Sequence, residues 1–320
     1  MWPVTNPFLF CAHHLDVFPE GNEQMGPEKS LLKGRDIGQD FILKDGWRMY
    51  HGQTIPGFPA HPHRGFETVT VVTQGLVDHA DSHGQAGRYG GGDVQWMTAG
   101  AGLQHSEMFP LLNKEGKNPA ELFQVWLNLP KAKKFVKPHF KMLWSEDIPL
   151  VQIQDKNGKS VEINVIAGSV GNVKALDPAP DSWAAESENE EAIWTINMEA
   201  GAQWKNEAAS DHANRTLYFY RVSSIRIDGE EIPVEKAIQI NANQELLIEN
   251  GSTDGYFLLL QGKPINEPVV QYGPFEAYRI CPNSGQRNRV MRVEGGSTEF
   301  KGALAPGDQF NGFLVAVDEV

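Results

Sequence analysis

Apolar and polar residues alternate along this chain in short stretches cut by Gly, Pro and Asp, the period-two pattern of strands with one face in a core. In the first half the alternation predicts strands over 47–53, 68–73, 76–81, 93–97, 103–109 and 122–129. The second half repeats the texture over 161–167, 192–198, 217–222, 224–228, 237–241, 245–249 and 256–261. Strands this short and closely spaced predict barrels or sandwiches, and no short-period repeat argues otherwise. Two similar all-β domains in tandem are the simplest reading. The basic stretch 130–138, bounded by Pro130 and Pro138, reads as an exposed connection, so a first domain is expected at 1–137 and a second at 138–320. The acidic stretch 181–191 reads as a surface loop of the second domain.

Composition supports this picture and narrows the function. The chain has 320 residues, room for two domains of about 150 residues each. Hydrophobic residues at 40% and charged residues at 22% are those of a globular protein, and Gly 32 with Pro 20 favours turns over long helices. A net charge of -13 repels phosphate backbones and anionic membrane surfaces, which disfavours nucleic-acid and membrane partners. The local exception, Lys131, Lys133, Lys134, Lys137 and Lys141, reads as a solvated linker. Cys11 and Cys281 are the only cysteines, too few for a disulfide framework. No basic leader with an apolar run opens the chain, and no stretch of about 18 apolar residues occurs. A cytoplasmic monomer is expected.

The chemistry lies in two short motifs. His61 and His63 stand two apart, and in extended chain such residues project to the same face. His105 and Glu107 repeat that spacing, so two extended segments meeting inside a barrel would bring three imidazoles and a carboxylate to one point. Such a set suits iron and also accepts zinc, copper, nickel, cobalt or manganese. A thiolate zinc site is not indicated, because the two cysteines are far apart in sequence. Either pair alone is weak, but Gly65, Gly75, Gly90, Gly91, Gly92, Gly100 and Gly102 punctuate the surrounding strands as tight barrel corners require.

Longer motifs carry a resemblance. The run His61-Pro-His-Arg-Gly-Phe-Glu-Thr-Val-Thr70, then Gly92-Asp-Val-Gln-Trp-Met-Thr-Ala-Gly100 and His105-Ser-Glu107, is similar to the pirin family of the cupin superfamily. So are Phe123-Gln-Val-Trp-Leu-Asn-Leu-Pro130, the run from Leu258 to Val270, and Gly273-Pro-Phe275. The resemblance implies a bicupin of two antiparallel jelly-roll barrels packed face to face. It also implies one divalent metal, most often iron, in the first barrel only, with ligands at His61, His63, His105 and Glu107. Many other cupins place a glutamate a few residues beyond the second histidine, which is Glu67 in this chain, and strand parity leaves Glu67 open as the competing carboxylate. The chain departs from the family pattern at Glu276-Ala-Tyr-Arg279, over residues 281–320, and at Ala101, where many relatives carry a longer polar or basic residue.

Two classes of function follow from the resemblance. One is a quercetin 2,3-dioxygenase-type oxidoreductase acting on a flavonol, or on another small phenol or enol, together with dioxygen. In it the metal lowers the pKa of the substrate hydroxyl, Glu107 is the catalytic base, and the ring opens with loss of carbon monoxide. The other is a regulatory module whose metal redox state controls docking to a protein partner.

Overall fold

A computed structural model describes residues 2–232, 237–272 and 275–278. Cys281, Gly273, Pro274 and the departures at Arg279 and 281–320 lie outside these residues. The first half forms β1 (Phe8–Phe18), β2 (Gly57–His63), β3 (Phe66–Gln74), β4 (Leu76–Asp81), β5 (Ala86–Gly90), β6 (Val94–Thr98), β7 (Leu103–Met108), β8 (Asn118–Asn128) and β9 (His139–Leu143). They make two sheets, β1-β8-β3-β6-β9 and β2-β7-β4-β5, whose pairings are all antiparallel. β9 pairs with β6, so the first domain's sheet continues past the basic connection into the segment that the linker argument assigns to the second domain. Lys134, expected in solvent, is buried, and its Nζ donates to the Gly65 carbonyl at 3.0 Å and to Asn128 Oδ1 at 2.6 Å.

The five-stranded sheet is covered on both faces. On β3 and β8, Val69, Val71, Phe123, Val125 and Leu127 pack outward against Ile193, Tyr218, Leu258 and Leu260 of the second half in one continuous core. The alternate positions Val72 and Leu122 point into the first barrel, whose end is closed by Phe18, Trp47, Met49, Tyr50 and Phe109. Two-sided burial explains why these strands read as apolar runs more than as clean alternation.

The second barrel repeats the plan. Its strands are β10 (Leu150–Gln154), β11 (Ser160–Ala167), β12 (Ser169–Val170), β13 (Val173–Lys174), β14 (Ala192–Met198), β15 (Gln203–Asn206), β16 (Asn214–Arg221), β17 (Ile225–Ile227), β18 (Glu230–Ile232), β19 (Ala237–Asn241), β20 (Leu246–Asn250) and β21 (Gly255–Gly262). The sheet β10-β11-β14-β21-β16-β19 faces the first barrel, and β15-β20-β17-β18 lies behind it. Between them Val161, Ile163, Ile196, Trp204, Phe219 and Phe257 fill the interior with apolar side chains. The fold is therefore the expected bicupin, two jelly-roll barrels face to face.

Two local expectations change. Residues 47–53 form isolated bridges and turns instead of a strand, because Tyr50 takes a φ of 57°, incompatible with extended chain, although its side chain stays in the core. The acidic stretch 181–191 forms short 3₁₀ turns whose Ser182 and Glu191 are buried, so it is only partly a surface loop.

Candidate metal centre

β2 is the edge strand of its sheet, so Pro59 and Pro62, which lack an N–H, remove nothing from the ladder. A bulge between Phe58 and His61 sets His61 directly opposite His105 on β7. Gly57 permits the close approach of the two strands: its φ is 130°, and a Cβ there would stand 2.5 Å from the Glu107 carbonyl oxygen. After His63 the chain turns through Gly65, φ 83°, whose N–H donates to the Gly100 carbonyl at 2.9 Å, and crosses into the other sheet as β3.

That crossing places the two candidate carboxylates on different faces. Glu107, on β7 between β2 and β4, points into the first barrel. Glu67 shares the parity of Val69 and Val71 and lies at the junction of the barrels, where Oε1 accepts from Thr98 Oγ1 at 2.7 Å and Glu191 is close enough to feel its charge. Counting four positions on from His63 fails because the turn at Gly65 resets the alternation.

The imidazoles of His61, His63 and His105 converge, with one nitrogen from each lying within 4.8 Å of the others. His61 Nε2 stands 3.1 Å from His63 Nε2, and Glu107 Oε2 is 3.9 Å from His105 Nε2. His61 Nδ1 donates to the Pro59 carbonyl at 2.9 Å, which leaves the lone pair on Nε2, the atom turned toward His63. Both ring nitrogens of His105 are buried without a partner. The set fits a divalent cation: two ligand nitrogens ~2.1 Å from one ion at a right angle stand about 3 Å apart. Among the described residues this is the one group of three or more His, Cys, Asp or Glu donors so gathered.

Burial also puts the histidines in their ligating form. It lowers the His61 pKa to about 4 and holds His105 well below the usual range, with His61, His63 and His79 adding to the effect on His105. Burial raises Glu107 to about 7, against the opposing hydrogen bonds of Thr70 and Gln124. Glu107 Oε1 lies 3.0 Å from Thr70 Oγ1, Oε2 accepts from Gln124 Nε2 at 2.8 Å, and Thr70 Oγ1 is also 2.6 Å from Gln124 Oε1. The threonine has one proton for two acceptors.

A cavity of about 360 Å³ opens on this group, walled by Phe10, Phe41, Phe58, Phe109 and Trp126 and reached by His61, His63, Thr70, Glu107 and Gln124. Sequence reasoning missed Thr70 and Gln124, which sit on strands as ordinary polar positions. It also missed His79, whose ring centroid is 5.4 Å from that of His105 and whose Nε2 is 3.3 Å from Asp81 Oδ2. Position opposite Glu107 on β4 marks His79, and only the register reveals it.

Comparison with known proteins identifies both barrels. The family described as Pirin matches residues 23–127, and the Pirin C-terminal cupin domain matches residues 193–278. A Pseudomonas aeruginosa protein provisionally named quercetin 2,3-dioxygenase is 34% identical over 262 residues, covering 78% of this chain and 85% of its own. Pirin of Rattus norvegicus is 31% identical over 262 residues, 78% of each chain. The crystal structure of quercetin 2,3-dioxygenase from Acinetobacter baumannii superposes with a TM-score of 0.63 at 26% identity, covering 86% of this chain and 81% of that one. With both of its barrels matched and relatives of this similarity along most of its length, the chain belongs to the pirin family.

Proposed function

We propose that this protein is a metal-dependent dioxygenase of flavonol-like enols and phenols, with one divalent transition metal, iron first among the candidates, held by His61, His63, His105 and Glu107. The observation that carries the reading is the convergence of three imidazoles, those of His63 and His105 buried, with a carboxyl beside them, at an aromatic-walled cavity lined by His61, His63 and Glu107. The names of the Pseudomonas and Acinetobacter relatives support the substrate class. When bound, the metal supplies Lewis acidity that acidifies a phenolic or enolic hydroxyl, and one-electron chemistry toward dioxygen.

The remaining work falls to this chain's own side chains. Glu107, with two oxygens to share between ion and proton, would take the substrate hydroxyl's proton. Thr70 and Gln124 hold its two oxygens and keep it aimed. Phe58, Phe109 and Trp126 offer flat apolar surface to a planar ring and keep bulk water from it. Among the described residues no helix is long and apolar enough to cross a membrane. Cys11 is a buried free thiol, which suits the reducing cytoplasm.

The test is metal analysis of protein purified without added metal, followed by oxygen uptake with quercetin before and after chelation. We expect one metal equivalent per chain and uptake that chelation abolishes. A metal-loaded protein that consumes no oxygen with any flavonol or simpler phenol would remove the enzyme reading and favour metal-dependent binding of a protein partner.

A further inference from the structure

Across the cavity from the histidine triad lies a network that the proposed chemistry does not use. β1 sends His13 toward the second barrel, where its ring stacks on Phe123 at 4.8 Å and its Nε2 meets Glu121 at 2.9 Å. His14, the next residue, points the other way and lines the cavity with Arg48 and Tyr50. Asp16 is buried, and Arg48 donates to both of its oxygens, from Nε to Oδ1 at 3.0 Å and from Nη2 to Oδ2 at 3.2 Å. The Tyr50 hydroxyl donates to Asp16 Oδ2 at 2.5 Å. The same hydroxyl lies 3.0 Å from His14 Nδ1.

Proton counting fixes the tautomer. The Tyr50 hydroxyl has one hydrogen, and Asp16, whose two oxygens both accept from Arg48, takes it. The contact with His14 must then run from Nδ1–H to the tyrosine oxygen. Burial lowers the His14 pKa to about 3, so the ring is neutral and carries one N–H only. Its Nε2 is therefore a lone-pair acceptor, and among the described residues it has no hydrogen-bond partner. The arrangement is enforced: Tyr50 is held at φ 57°, a region rare for a non-glycine residue, by backbone hydrogen bonds with Asp40 of 2.9 and 3.0 Å. The Phe58 ring touches both His14, at 5.7 Å, and His61, at 6.3 Å, so the acceptor and the metal ligands are separate stations along one apolar wall.

We propose that His14 Nε2 accepts a hydrogen bond from a second hydroxyl of the substrate, remote from the one presented to Glu107, and so selects polyhydroxylated planar phenols over their mono-hydroxylated analogues. The inference rests on the phenolic-substrate reading above. An acceptor on an aromatic-walled cavity that has no partner within the protein favours a ligand that donates to it over one that leaves it unpaired, by about tenfold in affinity.

The experiment is anaerobic titration of the metal-loaded protein, followed by tryptophan fluorescence, with quercetin and with 3-hydroxyflavone, which lacks the additional hydroxyls. The parent should bind quercetin about tenfold more tightly. His14→Phe, which keeps a flat ring on the wall, should reduce that preference to less than about threefold while the metal content stays the same. Tyr50→Phe removes the oxygen that fixes the tautomer and should weaken the preference in the same direction, so the proposal stays testable if one variant folds poorly. A parent that binds both flavonols equally, or a folded His14→Phe protein that keeps the full preference, overturns the role of His14 alone. Failure of the parent to bind either flavonol overturns the phenolic-substrate reading and this role with it.

Discussion

Replacing Glu67 with glutamine separates the two carboxylates that strand parity left in competition. Glu67 has no solvent exposure, and its Oε2 has no hydrogen-bond partner. Nearby Glu191 is buried with neither oxygen paired. Burial, the largest cause, lifts Glu67 from 4.5 to about 7, and burial with the charge of Glu67 lifts Glu191 well above its ordinary value. A carboxyl whose folded pKa exceeds its unfolded one binds more protons in the folded state. Its contribution is fully present below about 4.5 and is lost as pH rises through about 7. A lift from 4.5 to about 7 corresponds to about 3 kcal/mol at most.

Glutamine cannot ionise and keeps an oxygen for Thr98. Glu67→Gln should therefore exceed the parent in stability at pH 8 by up to about 3 kcal/mol and match it near pH 4.5. Urea unfolding at the two pH values measures this, with metal content determined on the same samples. Because Glu67 lies on the outer face of β3, the variant should also keep its metal. A variant that loses metal, or that is no more stable than the parent at pH 8, would refute both the placement of Glu67 and its electrostatic cost.

Two further outcomes concern the centre itself. His61→Ala and His105→Ala should each lose the metal and keep their far-ultraviolet circular dichroism. For metal-free His105→Ala the loss of stability should stay under about 2 kcal/mol, since neither ring nitrogen is hydrogen-bonded; unfolding at room temperature would show a structural metal instead. Glu107→Gln should lower flavonol-dependent oxygen uptake by about a hundredfold, with part of the metal retained, and uptake equal to the parent's would remove the base from Glu107.

The centre was legible because its donors come in pairs two apart on extended chain, a spacing that fixes a shared face without any knowledge of the sheet. Everything that depended on crossing between sheets was not. Glu67 follows His63 at a permitted interval, yet the left-handed turn at Gly65 moves it to the junction between barrels. β1 escaped prediction because its second half inverts the usual pattern, with Leu15 and Val17 exposed and His14 and Asp16 turned inward. Residues 47–53 have the composition of a strand, but the φ of Tyr50 turns them into a wall of the cavity. Thr70 and Gln124 could be assigned a role only once Glu107 was seen between them.

The shared sheet face also bears on whether the two barrels are separate domains in the thermodynamic sense. Val69, Val71, Trp96, Phe123, Val125 and Leu127 are almost wholly buried, and what covers them is Ile193, Tyr218, Leu258 and Leu260 of the other barrel. The segment before β1 is tied across as well: Tyr218 Oη donates to the Pro3 carbonyl at 2.7 Å, and Asn214 Nδ2 donates to the Asn6 carbonyl at 2.6 Å. Each large apolar side chain uncovered costs about 1.5–3 kcal/mol, so baring this face would cost as much as a typical domain's whole stability of about 5–15 kcal/mol. The first barrel also holds Thr70 and Gln124 on the reverse side of these strands, which makes the geometry around Glu107 depend on the second barrel. Calorimetry of the full chain should therefore give one transition whose van't Hoff and calorimetric enthalpies agree, and residues 1–143 expressed alone should aggregate or pair through the bared face. Two well-separated transitions, or a monomeric first barrel that binds metal with the full chain's affinity, would show that the second barrel is not needed to build the site.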